Sequence, residues 1–358
     1  MIEELRKELT PEEYERRLDE FLFKNSAKIQ HTINWKRIIQ ESYKNCLPAY
    51  FIKTENEKIR AFFPFFFIKS RIFEKKMICL PFTDIGGFLG DYDKKDIEEL
   101  FEILKKKDAG SIEIRLNNSL ENFEKLKEIL LDLGFGEDHS RQQFIIKLSS
   151  EKDIWQGFHK HTRNDIRKSE KSGLALTAIN DEKELKRFFS LYSVEMRNFG
   201  TPQHSYAFFK NMFNLLKKDF VGYNCYQGKK LVASIIMLVQ KDSACISFNI
   251  SDKKYKQFRP NDLLYWACIK TTIKKHVKYL DLGQVEKDAL QGSHAEGLFK
   301  FKEKWNGDLY DREYFFYPSR DAAQNKKEKL KKFRSAWQKI PLFITKTLGP
   351  IICSQLGV

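Results

Sequence analysis

The chain has 358 residues, 42% of them hydrophobic and 14% aromatic, enough for two packed domains and too apolar for a disordered chain. Its 64 Lys and Arg against 49 Asp and Glu leave a net charge of +15, which favours polyanions such as RNA, acidic lipid or phosphate-bearing substrates. The charged start MIEELRKELTPEEYERRLDE lacks a signal-peptide core, and no apolar run is long enough to span a bilayer. Six cysteines, Cys46, Cys79, Cys225, Cys245, Cys268 and Cys353, are scattered without a CxxC pair. They read as reduced core thiols and place the protein in the cytoplasm. No metal motif or Walker loop is present, so the expected metal complement is none.

In chain order, the first half reads as a helix over Trp35 to Tyr43, then the strands LPAYFIK, KIRAFFPFFFIKS and MICLPF. A helix at Lys95 to Lys107, the strand SIEIR, a helix at Glu121 to Leu133 and the strand RQQFIIKL follow. The second half opens on FHKHTRNDIRKSEKSGLAL. Trp155, Phe158, Thr162 and Ile166 recur at helical spacing there, and Ser150 is placed to cap one continuous helix that ends at Gly173. His159, Arg163, Arg167 and Lys171 then form a cationic stripe, whose plain alternative is a solvated face tempered by Asp165 and Glu170.

A strand near Leu174 to Ile179 comes next, then helices at Glu182 to Asn198 and Ser205 to Lys218 separated by the breaker GTP. Strands VGYNCY, LVASIIMLVQ and SACISFNI, a helix at Asn261 to His276, the strand KYLDL, a helix near Glu296 to Lys304 and the strand YDREYFFY complete the half. The order is β-α-α-β-β-β-α-β-α-β, and much of it repeats between the halves, which suggests a structural duplication.

That order resembles the GNAT acyltransferase fold, and its tandem use resembles the FemABX family of peptidoglycan aminoacyl transferases. TRNDIRKSEKSG at Thr162 to Gly173 is similar to the family's R-x-x-I-x-K-x-x-K-x-G segment. FRPNDLLYWACIK, and YLDLG through GLFKFKEKWNGD, are similar to its later helix, strand and FK-x-x-(F/W)-G segment. FFPFFFIKSRIF and LPFTDIGGFLGD match in the first half, and the tail WQKIPLFITKTLGPII resembles FemAB-like proteins of exosortase and exopolysaccharide systems. The resemblance implies an α/β fold of mixed sheets: an N-terminal GNAT-like domain over 1–148, a second, BioF2-like acetyltransferase domain over 149–320, and a basic amphipathic tail over 321–358.

The implied activity is transfer of an aminoacyl or acyl group to an amine or hydroxyl of a cell-envelope glycan or peptidoglycan-type precursor. One alternative is an acyl-CoA-dependent N- or O-acyltransferase of exopolysaccharide synthesis. Another is a non-catalytic RNA- or membrane-binding scaffold. No tightly bound cofactor is expected. Where an acyl-CoA enzyme would place a glycine-rich turn, the sequence reads KYKQFRPNDLL, with Arg259, Pro260 and Asn261 and no glycine. That favours aminoacyl-tRNA over acyl-CoA as donor.

Direct transfer needs alignment, proton removal and stabilisation of a tetrahedral oxyanion, without a covalent nucleophile. Lys302 matches the family lysine near the reacting ester, with Lys300 and Lys304 as alternatives if the helix register differs. Asp281 stands at a strand end as base, acceptor anchor or turn cap. Arg163, Arg167 and Lys168 are read as phosphate or RNA contacts, Arg197 and Tyr206 as holders of acceptor phosphate, with helix-end charge the plainer role for Arg197. Asp84, Gly86 and Gly87 mark a closely approached backbone or a tight turn. The tail, cationic from Lys326 to Arg334 and apolar beyond, suits an anionic membrane surface at the inner face of the cell membrane.

Overall fold

The computed structural model describes residues 2–4, 11–25, 27–84, 86–117, 122–319 and 332–357. The expected start of a helix at Glu121 and the cationic residues 326–331 lie outside these. The chain divides into two compact units: residues 1–139, 311–326 and 351–358 form the first, and residues 140–310 and 327–350 the second. Residues of both the last strand and the tail belong to the first unit.

In the first unit, α1 (Pro11–Lys24) and α2 (Ile33–Ser42) precede a mixed sheet. Its strands are β1 (Ile2–Glu4), β2 (Cys46–Glu55), β3 (Lys58–Ile68), β4 (Lys76–Cys79), β6 (Ser111–Asn117) and β13 (Asp308–Tyr317), in that order, with β5 (Leu89–Gly90) added to β3. Thr32 caps α2 by accepting from Trp35 N at 3.3 Å. A reciprocal Asp93–Asp96 capping box starts α3 (Lys94–Lys105). The run KIRAFFPFFFI of β3 buries Phe62, Phe63, Phe65 and Phe66 on both faces, as a central strand covered from both sides must. α4 (Phe123–Asp132) also belongs to this unit.

The second unit holds a sheet ordered β7 (Gly136–Lys147), β12 (Tyr279–Glu286), β11 (Ser243–Ser251), β10 (Lys230–Gln240), β9 (Phe220–Gln227) and β8 (Leu174–Ala178). Each sheet makes three antiparallel steps, one parallel step (β4 with β6, β11 with β12) and a final antiparallel step. The repetition read from the sequence is therefore present in strand direction. Each final strand comes from the other half of the chain. β13 pairs with β6 through Arg312↔Asn117 to Tyr317↔Ile112, and β7 pairs with β12 through Tyr279↔Lys147 to Glu286↔Arg141.

The helices of the second unit are α5 (Glu151–Gly157), α6 (Lys160–Lys171), α7 (Glu182–Phe199), α8 (Tyr206–Leu216), α9 (Pro260–Lys274), α10 (His294–Glu303) and α11 (332–339). α12 (Leu342–Leu356) begins here and ends in the first unit. The helix expected to run unbroken from Ser150 to Gly173 is two helices. Ser150 does cap the first, accepting from Asp153 N at 3.1 Å, but Phe158 and His159 turn to extended backbone between them. At the break the Phe158 ring packs against Trp266 and Trp305, with centroids 5.8 and 5.4 Å away.

Candidate functional site

Beyond three register pairs, Ser243↔Tyr279 to Cys245↔Asp281, the parallel ladder between β11 and β12 ends. At that point β12 carries a bulge. Asp281 faces Ile145 and Gln284 faces Gln143, so one extra residue is accommodated on β12. Gly283 takes the positive φ of +83° this requires. The Asp281 carboxylate fixes the turn by accepting from Gly283 N at 2.7 Å.

Lys302 lies over this bulge. α10 starts at the Ser293 cap, which accepts from Glu296 N at 3.1 Å, and Lys302 is the buried residue of the helix, 6% exposed. Its ammonium donates to the Gln284 carbonyl at 2.9 Å. A Cβ on residue 283 would stand 3.2 Å from that nitrogen and 3.1 Å from the Ile246 carbonyl oxygen. Gly283 is thus favoured by its left-handed dihedral, and a side chain there would crowd the Lys302 ammonium. The sequence reading quoted this glycine within YLDLG without singling it out. A positive charge held at the end of a parallel ladder can neutralise a negative oxygen brought to the same backbone.

The neighbouring lysines do other things. Lys300 points outward and pairs with Glu296. Lys304 is enclosed by the carboxylates of Asp165, at 3.1 Å, and Asp262, while Arg259 Nε approaches Asp165 at 3.3 Å. Burial pushes the Asp262 carboxyl up, and Lys304 pulls it back down. This cluster of α6, α9 and α10 side chains escaped the sequence reading, because its members are far apart in the chain.

Arg259 adopts left-handed backbone at φ +60° and precedes Pro260, the first residue of α9. Proline offers no N–H, and the N–H groups of Asp262 and Leu263 both return to the Arg259 carbonyl. Asn261 is turned to the sheet, donating to Ser251 Oγ at 3.0 Å and accepting from Asn249 at 3.1 Å.

Of the cationic stripe, Arg163 donates to the carbonyls of Gln156 and Phe158 at 3.0 and 2.7 Å, closing the end of α5. Arg167 stands over the Trp155 ring, 5.4 Å from its centroid, and Lys168 is exposed. Arg197 donates to the Gln338 carbonyl of α11 at 3.3 Å. The Tyr206 hydroxyl donates to Glu182 at 3.3 Å, and burial with that carboxylate pushes its pKa up to about 12.

Asp84, Gly86 and Gly87 belong to the first unit. Asp84 accepts from Tyr314 at 3.3 Å and pairs with Arg312 at 3.3 Å. A Cβ on residue 86 would stand 2.6 Å from the Arg115 carbonyl oxygen, so the chain that approaches Gly86 is the protein's own. Gly87, at φ +103°, presents its carbonyl to the buried His31 Nε2 at 3.3 Å. Glu137, His139 and Glu313 also converge in this unit, but Lys127 already supplies a cation to both carboxylates, at 3.3 and 2.8 Å.

Burial pushes the thiols of Cys46, Cys79 and Cys225 up to about 12 and those of Cys268 and Cys353 higher still. None of these five is an activated nucleophile.

Residues 156–300 match the family model described as an acetyltransferase (GNAT) domain. No curated protein matches the sequence. Among solved structures, FemX is similar at a TM-score of 0.66 with 14% identity, over 87% of this chain and 96% of its own. A tandem GNAT protein of the clavulanic acid biosynthesis pathway is similar at 0.59 with 9% identity, over 88% and 98%. The C-terminal domain of a putative lysylphosphatidylglycerol synthetase from Agrobacterium fabrum is similar at 0.57 with 12% identity, over 89% and 96%. The chain carries a GNAT-type acetyltransferase domain and has the fold of tandem GNAT proteins; it is an acyltransferase.

Proposed function

We propose that the chain transfers an aminoacyl group from tRNA to an amine or hydroxyl of a cell-envelope glycan or peptidoglycan-type precursor, at the β12 bulge beneath Lys302. The observation that carries this reading is the buried Lys302 ammonium beside Gly283 and the Gln284 carbonyl, at the end of the β11–β12 ladder. The acceptor nitrogen or oxygen attacks the ester carbonyl, and the carbonyl oxygen becomes an oxyanion that the Lys302 charge stabilises. Collapse breaks the bond to the ribose oxygen, which leaves with a proton while the acceptor loses one. Asp281 holds the bulge under Lys302 through Gly283, so it acts as a positioning residue. Buried thiols and a direct attack agree with each other, since no enzyme-bound ester is needed.

The donor assignment rests on the start of α9. A pyrophosphate-binding helix presents free backbone N–H groups to the anion. Here proline removes one, that of Asp262 is turned back to the Arg259 carbonyl, and the Asp262 carboxylate stands in the first turn. Arg167 and Lys168 are then the candidate contacts to tRNA phosphates, with Arg163 holding the helix that carries them. Reduced thiols support a cytoplasmic site of action. The acetyltransferase family match favours a second reading, acyl-CoA as donor, with the same Lys302 chemistry.

Incubating the purified chain separately with bulk aminoacylated tRNA and with acetyl-CoA, and measuring binding by calorimetry, separates the two. Binding of charged tRNA that falls steeply with salt, with weak CoA binding, supports the first reading. Tight stoichiometric CoA binding replaces it with the second.

A further inference from the structure

α12 is amphipathic in an unusual sense: small and polar residues face the protein, and large apolar residues face out. Thr345, Gly349 and Cys353, at successive i+4 positions, are buried. Gly349 is packed so closely that a Cβ would lie 2.9 Å from the Gln203 side chain and 3.1 Å from its backbone nitrogen. Phe343, Thr347 and Ile351, at the same spacing on the opposite side, are exposed together with Leu348. Phe343 is 72% exposed and Ile351 48%. The inner face is already filled, so the helix cannot roll to hide these side chains.

The helix ahead of it is fixed as well. In α11, Gln338 donates to the Asn198 carbonyl at 2.9 Å, and a Cβ on Gly200 would lie 2.6 Å from the Arg334 carbonyl oxygen. From Lys329 to Val358 the sequence contains Lys329, Lys331, Lys332, Arg334, Lys339 and Lys346 and no Asp or Glu.

We propose that the outward face of α12, with Phe343, Leu348 and Ile351 as its apolar contacts, docks in the plane of an anionic lipid surface. Large exposed apolar side chains beside Lys339 and Lys346, on a 15-residue helix that contains Pro350, suit a bilayer interface, and no helix among the described residues is long and apolar enough to cross a membrane. The one-sided charge selects an anionic surface over a neutral one, and over a second copy of this equally basic chain. The proposal goes beyond the transfer chemistry and is tested without it.

Cosedimentation of the full chain with phosphatidylglycerol-containing and pure phosphatidylcholine vesicles, at low and high salt, provides the test. The native chain is expected to bind the anionic vesicles, and more weakly as salt rises. The triple variant Phe343→Ser, Leu348→Ser, Ile351→Ser should partition roughly 10-fold or more less. Lys339→Gln with Lys346→Gln should lose preference for anionic lipid. A Thr347→Cys chain labelled with a polarity-sensitive fluorophore leaves the apolar face intact, and its emission should shift to the blue when anionic vesicles are added. A label that stays in water, equal binding by native and triple-variant chains, or no vesicle binding would overturn the proposal. So would light scattering showing a dimer that the triple variant abolishes while lipid is ignored, which would assign the face to self-association.

Discussion

The Lys302 ammonium sits on the Gln284 carbonyl at 2.9 Å, and the residue before that carbonyl, Gly283, has no side chain to keep it away. A buried ammonium is costly unless backbone or carboxylate oxygens receive it. Here the bulge in β12 turns a carbonyl towards α10 to do so, and the same charge is left at the end of a ladder where two strands part.

On the proposed mechanism, replacing Lys302 by Ala is expected to lower turnover on the order of 10²-fold or more, because the lost interaction would be with charge that develops only in the transition state. Lys302→Arg should recover little, since a planar fork does not fit beneath a bulge shaped around one nitrogen. Single-turnover rates measured beside thermal melts check this. A variant that melts near the native temperature yet reacts at the native rate removes Lys302 from the mechanism.

Gly283→Ala tests the seat rather than the charge. The added Cβ meets left-handed backbone at +83° and two close oxygen and nitrogen neighbours. A dihedral penalty of roughly 1–2 kcal/mol is expected, together with displacement of Lys302. Activity should therefore fall further than the stability loss alone explains. Urea melts and rates on the same preparation separate the two effects, and an active variant with native rate places the chemistry elsewhere.

On the proposed tRNA reading, the salt dependence of binding tests the exposed cations of α6. Arg167→Gln with Lys168→Gln should flatten the slope of log affinity against log salt by about one to two units, because each lost phosphate contact withholds its counterions. Arg163→Gln should instead act through stability, since Arg163 bonds the carbonyls that end α5. An unchanged slope in the double variant would make α6 a solvated face.

The sequence made the order of elements legible, because periodicity and breakers are local. The Ser150 cap, the stop at Gly200 with its left-handed φ of +73°, and the aromatic β3 were all readable. Motif resemblance singled out Lys302, and its environment differs from that of its neighbours: Lys302 is buried on the Gln284 carbonyl, Lys300 is exposed and paired with Glu296, and Lys304 is held by two carboxylates. What stayed hidden is non-local. Nothing within RQQFIIKL says that it pairs with β12, nor within YDREYFFY that it pairs with β6. The break at Phe158 was invisible for a related reason: helical spacing continues across it, and the two tryptophans that draw the ring inward lie more than a hundred residues away.

Two histidines set an acid limit. His31, enclosed and bonded to Gly87, has its pKa lowered by burial to about 4, and burial alone lowers His204 to about 3. Folded values below the unfolded 6.5 mean that the unfolded chain binds more protons as pH falls through that range. Stability is then complete above about pH 7 and declines below 6.5, by about 1.4 kcal/mol per pH unit for each histidine until its folded pKa is reached. Urea melts of the native chain and of His204→Phe between pH 7.5 and 5 check the sign. A native chain that is equally stable at both ends would contradict it.

Lys304 provides the contrast with Lys302. Its ammonium satisfies Asp262, whose side chain is 4% exposed, and Asp165, and it lies over the rings of Phe301 and Trp305 at 4.8 and 5.7 Å. Lys304→Met keeps the packing volume but leaves the Asp262 carboxyl without its cation. Breaking one side of a buried pair costs about 3–5 kcal/mol, so the variant should be strongly destabilised. Removing the orphaned charge as well, in Lys304→Met with Asp262→Asn, should restore a large part of that loss, since the penalty lies in the uncompensated carboxylate. The low exposure of Asp262 makes this coupling measurable by a double-mutant cycle in urea. Additive losses in the cycle would show that the two side chains do not depend on each other. A coupled pair whose double variant keeps the native rate per folded molecule would assign Lys304 to holding α6, α9 and α10 together, and leave the transfer chemistry to Lys302.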